Sequence, residues 1–244
     1  MEPVSWTQPF NDSEWVFQVK WDGVRCLAEV NGSGTTLYTR RGRERTANYP
    51  EVAAALARPE LAGVHLDGEL VAMDETGRPS FPRILRRDLG KSARLAIPVV
   101  YLVFDLLARR GEDLRSRPWE ERQDCLAGLE LPLPLVRRVE NVAGPGGEEL
   151  YGRCRSLGME GIVGKQRLSA YRAGKSGLWR KVKVWREQAA SPFYWVPATF
   201  PGRPHWTQPS LTVRVRYLEW TPGMLLRSPT LLGPAEEGAP CGRF

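Results

Sequence analysis

Side chains that bind transition metals are scarce in this sequence, with four cysteines and two histidines among 244 residues. Cys26, Cys125, Cys154 and Cys241 show no C-x-x-C spacing, and only His65 and His205 could join them, so a structural zinc site is not expected. Free thiols in a reducing cytoplasm are the simpler account. No stretch approaches the roughly 20 apolar residues that a membrane span needs. Met1 to Gln18 lacks a basic segment followed by an apolar run, so no signal peptide is read there. An internal repeat is also missing. Together these absences predict a cytoplasmic protein with no membrane partner.

What is there is charge of one sign and enough apolar residues for a core. Lys and Arg number 35 against 28 Asp and Glu, a net charge of +7, and 42% of the residues are hydrophobic. The charge favours a polyanionic partner by raising its local concentration and on-rate. The length permits one large domain, alone or with a small one.

Along the chain, Trp15 to Lys20 alternates, Asp22-Gly23 makes a turn, and Arg25 to Val30 resumes an extended pattern up to a second turn at 31–34. These read as consecutive antiparallel strands. Pro50 to Ala57 reads as a helix opened by proline. His65 to Met73 and Val99 to Leu107 read as strands, the second apolar enough to be buried on both faces. Further helices are predicted from Pro118 and over Gly147–Leu157, with Leu150, Cys154 and Leu157 on one face and Gly158 as the stop. Ile162 to Lys165 and Trp179 to Val184 read as strands. Strands and helices without a βαβ rhythm predict an α+β fold of mostly antiparallel sheets with flanking helices. After about Arg186 proline becomes frequent, which predicts a boundary near 187–209. Leu211 to Trp220 then reads as one strand, and 233–244 as a disordered tail. The domain reading is 1–187 and 188–244.

Five segments carry possible chemistry. In Lys20-Trp21-Asp22-Gly23-Val24-Arg25 a lysine ends a strand and a glycine permits a tight turn, so that both cations can face one pocket. A lysine is a nucleophile only when neutral, and nearby positive charge or desolvation favours that state. In Asp67-Gly68-Glu69 two carboxylates share a strand face and suit a ribose hydroxyl or a divalent metal. Phe104-Asp105-Leu106 places a ring and an acid at the end of a buried strand, where Phe104 can stack on a base or serve the core. Glu160-Gly161-Ile162-Val163-Gly164-Lys165 repeats acid, glycine and lysine. In Trp179-Arg180-Lys181-Val182-Lys183 two lysines share a face, which suits a phosphate between them or a solvated edge.

Their order and separation resemble the motif series of the covalent nucleotidyltransferases, namely ATP-dependent DNA ligases, RNA ligases and mRNA capping enzymes. Thr39-Arg40-Arg41-Gly42 is similar to the Ser-Arg-x-Gly element of that series. The segments DGELVAMDETGRPSF (67–81) and SAYRAGKSGLWRKVK (169–183) look like the ligase domain of bacterial non-homologous end-joining ligases. The resemblance covers about residues 5–187 and returns at 211–233.

It implies a reaction in which Lys20 attacks the α-phosphate of ATP and forms a lysine–AMP phosphoramidate. AMP then passes to a 5′-phosphate, and a 3′-hydroxyl displaces it to seal the strand. The implied roles are Arg25 and Arg40 on the ribose side and the 5′-phosphate, Glu69 on ribose or metal, Phe104 on adenine, and Glu160 on Mg²⁺ or Mn²⁺. Lys165, Lys181 and Lys183 neutralise the α-phosphate and favour a neutral Lys20. The implied partners are nicked or broken DNA and a Ku-like end-binding protein, with the chain acting as a monomer.

Two departures stand out. The family's usual glutamate two residues before the nucleophile is Gln18, whose amide can still accept from the adenine amino group. Residues 188–244 are few for the OB-fold that follows such domains, only Leu211–Leu226 matches its pattern, and the closing Arg-x-Asp-Lys motif has no counterpart in 233–244. An abbreviated OB-fold-like segment is therefore expected, with weakened adenylylation as one consequence. Two other readings share the motifs: a catalytically weakened nucleic-acid-binding remnant, and an RNA ligase or capping-type enzyme.

Overall fold

A strand points successive side chains to opposite faces, and Val24–Asn31 obeys this closely: Cys26, Ala28 and Val30 are buried while Arg25, Leu27 and Glu29 are only partly covered. The computed structural model describes residues 1–90, 97–190, 212–221 and 226–235, in two units, Met1–Val184 and Trp185–Phe244. The strands of the first unit begin with β1 (Glu2–Ser5), β2 (Trp15–Val19), β3 (Val24–Asn31), β4 (Gly34–Thr39), β5 (Val64–Ala72) and β6 (Val99–Arg109). They continue with β7 (Glu112–Asp113), β8 (Val136–Arg138), β9 (Val142–Ala143), β10 (Gly161–Gln166) and β11 (Lys175–Lys183). The helices are α1 (Pro50–Leu56), α2 (Phe81–Leu89), α3 (Trp119–Ala127) and α4 (Gly147–Ser156).

Two sheets result. One has the order β1-β11-β10-β2-β9. The other runs β4-β3-β5-β6-β7, with β8 beside β6. All pairings are antiparallel except β1 with β11 and β6 with β8. The largest core lies between the second sheet and its helices, where Leu66, Leu70, Tyr101 and Val103 meet Leu56 of α1, Ile84 of α2 and Leu126 of α3. A smaller core sets Phe17, Ile162 and Val182 of the first sheet against Leu150 and Cys154 of α4. A third cluster contains Trp179 of β11 and Trp119 of α3, with Phe104 of β6 packed against it, and it joins the two sheets.

The strands at Trp15 and Arg25 form where expected but do not pair. β2 is hydrogen-bonded to β10 and β9, and β3 to β4 and β5. The turn at Asp22-Gly23 is therefore a crossing from one sheet to the other. A local pattern gives two strands and a turn, but not which strand each will choose as neighbour. Helix α2 has no counterpart in the sequence reading, although Pro82 in its first turn and Gly90 after its last are the usual marks. Its buried face uses Arg87 and Asp88 beside Ile84, which hides the apolar period. The short strands β1, β7, β8 and β9 were also not anticipated. Leu157, expected on the buried face with Leu150 and Cys154, is instead 56% exposed beyond the end of α4.

The second unit holds β12 (Arg186–Ala190), β13 (Val213–Tyr217) and β14 (Thr230–Pro234) in one antiparallel sheet of that order. Arg216 lies over the Trp185 ring at 4.7 Å. β12 falls within the stretch read as a linker, whose remainder, 191–209, lies outside the described residues; of the tail read as disordered from 233, Gly233 and Pro234 instead close β14, where they pair with β13, and 236–244 lie outside the described residues. No helix among the described residues is long and apolar enough to cross a membrane.

The ion pair between Arg122 and Asp105 is wholly enclosed. Arg122 of α3 donates from Nε and Nη2 to both oxygens of Asp105 at 2.8 and 2.9 Å, and both side chains are fully buried. Its Nη1 bonds the carbonyls of Arg117 and Ser169. Asp105 thus anchors a helix, and it does not face the cleft beside Phe104. Breaking such a pair strands one charge, at about 3–5 kcal/mol. Arg122→Met is expected to lower the unfolding free energy by about that amount in urea titration, and Asp105→Leu with Arg122→Met to return most of it.

Candidate active site

Lys20 directly follows β2, and its backbone N–H donates to the Gly161 carbonyl at 2.8 Å. Across β10, Gly161 faces Lys183 at the end of β11. Sheet register therefore gathers residues 20, 160 and 183, far apart in sequence, at one edge. Lys20 Nζ lies 2.5 Å from Glu160 Oε2, and Lys183 Nζ lies 3.2 Å from Glu160 Oε1. The Glu160 side chain is 6% exposed. Burial works to raise its pKa, but Lys20 and Lys183 outweigh that and hold it below the usual carboxylate range.

Two glycines make this edge possible. Gly161 has φ 145°, and a Cβ there meets the Val182 carbonyl oxygen at 2.1 Å. At Gly23, in the crossing, a Cβ meets the Leu70 carbonyl oxygen at 2.2 Å. No side chain fits at either position without moving backbone.

The crossing opens a cleft of about 640 Å³. Gln18, Lys20, Arg25, Arg40, Glu69, Phe104, Lys165 and Lys181 all line it. Of the residues singled out in the sequence, Glu160 and Lys183 do not form its wall but meet it through Lys20. Glu69 faces Arg25 across β5 and β3. Burial pushes its carboxyl up to about 8 in spite of Lys20 and Arg25. Phe104 is the extra residue of a bulge: Asp67 pairs with Asp105 and Gly68 with Val103, which leaves it unpaired and turned to the cleft. Lys181 is lowered by burial and by its neighbours Lys183 and Lys20.

Several groups are more committed than the sequence suggested. Asp67, read as Glu69's companion for ribose or metal, is fully buried and does not reach the cleft. Its oxygens accept from Arg25 Nε and Nη2 at 2.9 and 2.6 Å and from the Tyr171 hydroxyl at 2.8 Å. Arg25 therefore offers the cleft only the remaining edge of its guanidinium. Arg40 is paired with Glu2 at 3.2 Å and is 54% exposed. Lys165 is 2% exposed, donates to the Phe104 carbonyl at 3.1 Å, and lies 4.2 and 4.5 Å from the Trp179 and Phe104 ring centroids. Gln18 donates from Nε2 to Asn141 at 2.6 Å.

Glu2, Trp21, Arg43 and Arg45 also line the cleft and were not singled out. The run Arg40-Arg41-Gly42-Arg43-Glu44-Arg45 carried a signal for the two arginines, whereas Glu2 reaches the site only because β1 adds to the sheet edge at β11.

Burial lowers Lys165 from its ordinary 10.5 to about 7. The unfolded chain then binds this proton more tightly than the folded one. The penalty is full below pH 7 and fades as pH rises towards 10.5. Urea titrations of wild type and Lys165→Met are expected to differ with pH in that sense, the wild type gaining on the variant between about pH 7 and about pH 10. A pH-independent difference overturns the assignment.

The family model for the ATP dependent DNA ligase domain matches residues 5–183. The multifunctional non-homologous end joining protein LigD of Pseudomonas aeruginosa is 35% identical over 176 residues, which are 70% of this chain and 20% of that protein. The SPbeta prophage-derived DNA ligase-like protein LigB of Bacillus subtilis is 34% identical over 176 residues, 72% of this chain and 63% of that one. This chain thus spans a fifth of the first relative and under two thirds of the second. A solved structure of mycobacterial DNA ligase D, complexed with ATP and MES, superposes with a TM-score of 0.66 at 25% identity, covering 97% of this chain and 94% of that one. With its paired sheets and the lysine at their crossing, the chain belongs to the ATP-dependent DNA ligase domain family.

Proposed function

We propose that this chain is an ATP-dependent DNA ligase that seals 5′-phosphate/3′-hydroxyl breaks through an AMP carried on Lys20. The observation that carries this reading is the position of Lys20 Nζ, which lines a nucleotide-sized cleft while paired with Glu160 at 2.5 Å. The nitrogen attacks only with its lone pair free, so the ammonium held by Glu160 has to give up a proton to solvent first. The N–P bond then forms as the bond to pyrophosphate breaks. A 5′-phosphate oxygen next displaces Lys20 from the AMP phosphorus, and a 3′-hydroxyl finally displaces AMP.

Phe104 offers its ring to the adenine and Gln18 an oxygen to the adenine amino group. Glu69 and the free edge of Arg25 serve the ribose. Arg40 serves the 5′-phosphate of the break, with Glu2 as its resting partner. Lys181, Lys183 and Lys165 supply positive charge near the α-phosphate, and Lys165 from its aromatic cage also fixes the Phe104 backbone. Fixed charge at the developing phosphate negative charge is the main catalytic means open to such a site.

The carboxylates that fit a divalent cation are Glu69 and Glu160. Glu69 titrates near 8, so a cation there relieves a carboxylate that burial disfavours. No group of three or more His, Cys, Asp or Glu side chains among the described residues is placed to hold a metal ion without further ligands. That suits Mg²⁺, which keeps several waters and commonly binds one or two carboxylates with substrate phosphates. When bound it offsets the charge on the phosphates.

Beyond the reaction, we infer a role in end-joining repair beside a Ku-like protein, from the likeness to LigD. A monomer in the cytosol follows from the same reading, and the strands β12–β14 are taken as part of an abbreviated OB-fold.

Incubation with Mg²⁺ and α-labelled ATP is expected to label the chain, and Lys20→Ala to abolish the label. Lys183→Ala is expected to slow labelling by roughly 10²–10³-fold, as loss of one aligned charge does. No label in the wild type supports the remnant reading. Sealing of nicked RNA alone, or transfer of GMP, supports the RNA ligase or capping reading.

A further inference from the structure

A line of three carboxamides runs from the cleft to the backbone of β6. Gln18 Nε2 donates to Asn141 Oδ1 at 2.6 Å. Asn141 Nδ2 donates to Gln123 Oε1 at 3.2 Å, and Gln123 Nε2 donates to the Phe104 carbonyl at 3.1 Å. The fold supplies each member. Asn141 stands one residue before β9, whose Val142 pairs with Phe17, so the register sets Asn141 opposite Gln18. Gln123 lies on α3, the helix pinned by the pair of Arg122 with Asp105.

A carboxamide has a donor end and an acceptor end of nearly equal shape, so each member alone could sit either way round. The far end of the line removes that freedom. A backbone carbonyl carries no proton, so Gln123 must present Nε2 to Phe104. Its Oε1 then faces Asn141, which must present Nδ2, and the Asn141 oxygen must take the Gln18 amide nitrogen. Turning any member sets two NH₂ groups or two oxygens against each other. The terminal carbonyl is itself held by Lys165 Nζ at 3.1 Å. Gln18 lines the cleft at 2% exposure, and its Oε1 accepts no hydrogen bond among the described residues.

We propose that Asn141 and Gln123 are positioning residues that set the base specificity of this cleft. They hold Gln18 with its oxygen towards the ligand, so that the site takes a purine with an amino group at C6, adenine, and rejects guanine, which has a carbonyl there. This rests on the reading of the cleft as an adenylate site. Opposed acceptors in a buried site cost a factor of roughly ten to a hundred in binding. The family's usual carboxylate at position 18 needs no such line, because both of its oxygens accept. With an amide there, the direction has to come from elsewhere.

The test is equilibrium binding of ATP and of GTP to the full chain, with thermal unfolding of every variant. Wild type is expected to prefer ATP. Asn141→Leu frees the Gln18 amide to turn, and the ATP/GTP ratio is expected to fall by about ten-fold, largely through gain of GTP. Asn141→Asp keeps the ratio, because a carboxylate still accepts from Gln18 Nε2. In a Gln18→Glu background, Asn141→Leu leaves the ratio unchanged. If Asn141→Leu does not fold, Gln123→Leu carries the same expectation. A retained ratio in both leucine variants, or equal loss in Asn141→Leu and Asn141→Asp, overturns the proposal while leaving the adenylate site intact. A wild type that binds neither nucleotide overturns the adenylate reading and this proposal with it.

Discussion

The site depends on Glu160 lying between two lysines. Its 6% exposed carboxylate holds Lys20 at one oxygen and Lys183 at the other, and neither lysine could be brought so close to the other without it. The backbone sets where Glu160 stands, since its carbonyl accepts from the Val184 N–H at 2.8 Å. Gly161 fits against Val182 because it has no side chain, and its carbonyl receives the Lys20 N–H. A sheet edge therefore decides where the Lys20 amine stands. The side chains decide only what it meets there.

Around that edge the protein manages an excess of buried cations in three ways. Arg25 and Arg122 are given carboxylates, Asp67 of β5 and Asp105 of β6, neighbouring strands of the second sheet. Lys165 is given aromatic faces and a backbone oxygen. Lys181 is left lining the cleft, lowered by burial and by the cations beside it. The first solution neutralises charge inside the molecule, and the second holds Lys165 in place in the wall of the cleft. The last leaves charge directed at a ligand, and that difference separates structural basic residues from those available to a phosphate.

Much of the fold was legible in the sequence because its elements obey local rules. The strands at Trp15, Val24, Val64 and Val99 follow alternation or unbroken apolarity, and α1 and α4 follow proline and glycine signals. Helix α2 escaped because tertiary pairing lets it bury Arg87, which bonds Glu51 and the backbone of Asn48. β1 escaped because four residues at an edge carry too little pattern, yet it brings Glu2 to the cleft. The motif residues were found as a set, and eight of them do line one cleft.

By itself the sequence determined the residue types that the proposed chemistry needs: a lysine before a glycine turn, acids spaced along strands, and paired lysines near the end of the first unit. Spacing alone could not separate Asp67 from Glu69 or Asp105 from Phe104. Tertiary structure decided that, because it brings Arg25, Tyr171 and Arg122 onto the two aspartates and a bulge turns Phe104 outward. It also turned an apparent hairpin at Lys20 into a crossing between sheets. The physical reason is that a strand's neighbours, and a buried charge's partner, are settled by contacts distant in the chain, which local periodicity does not encode.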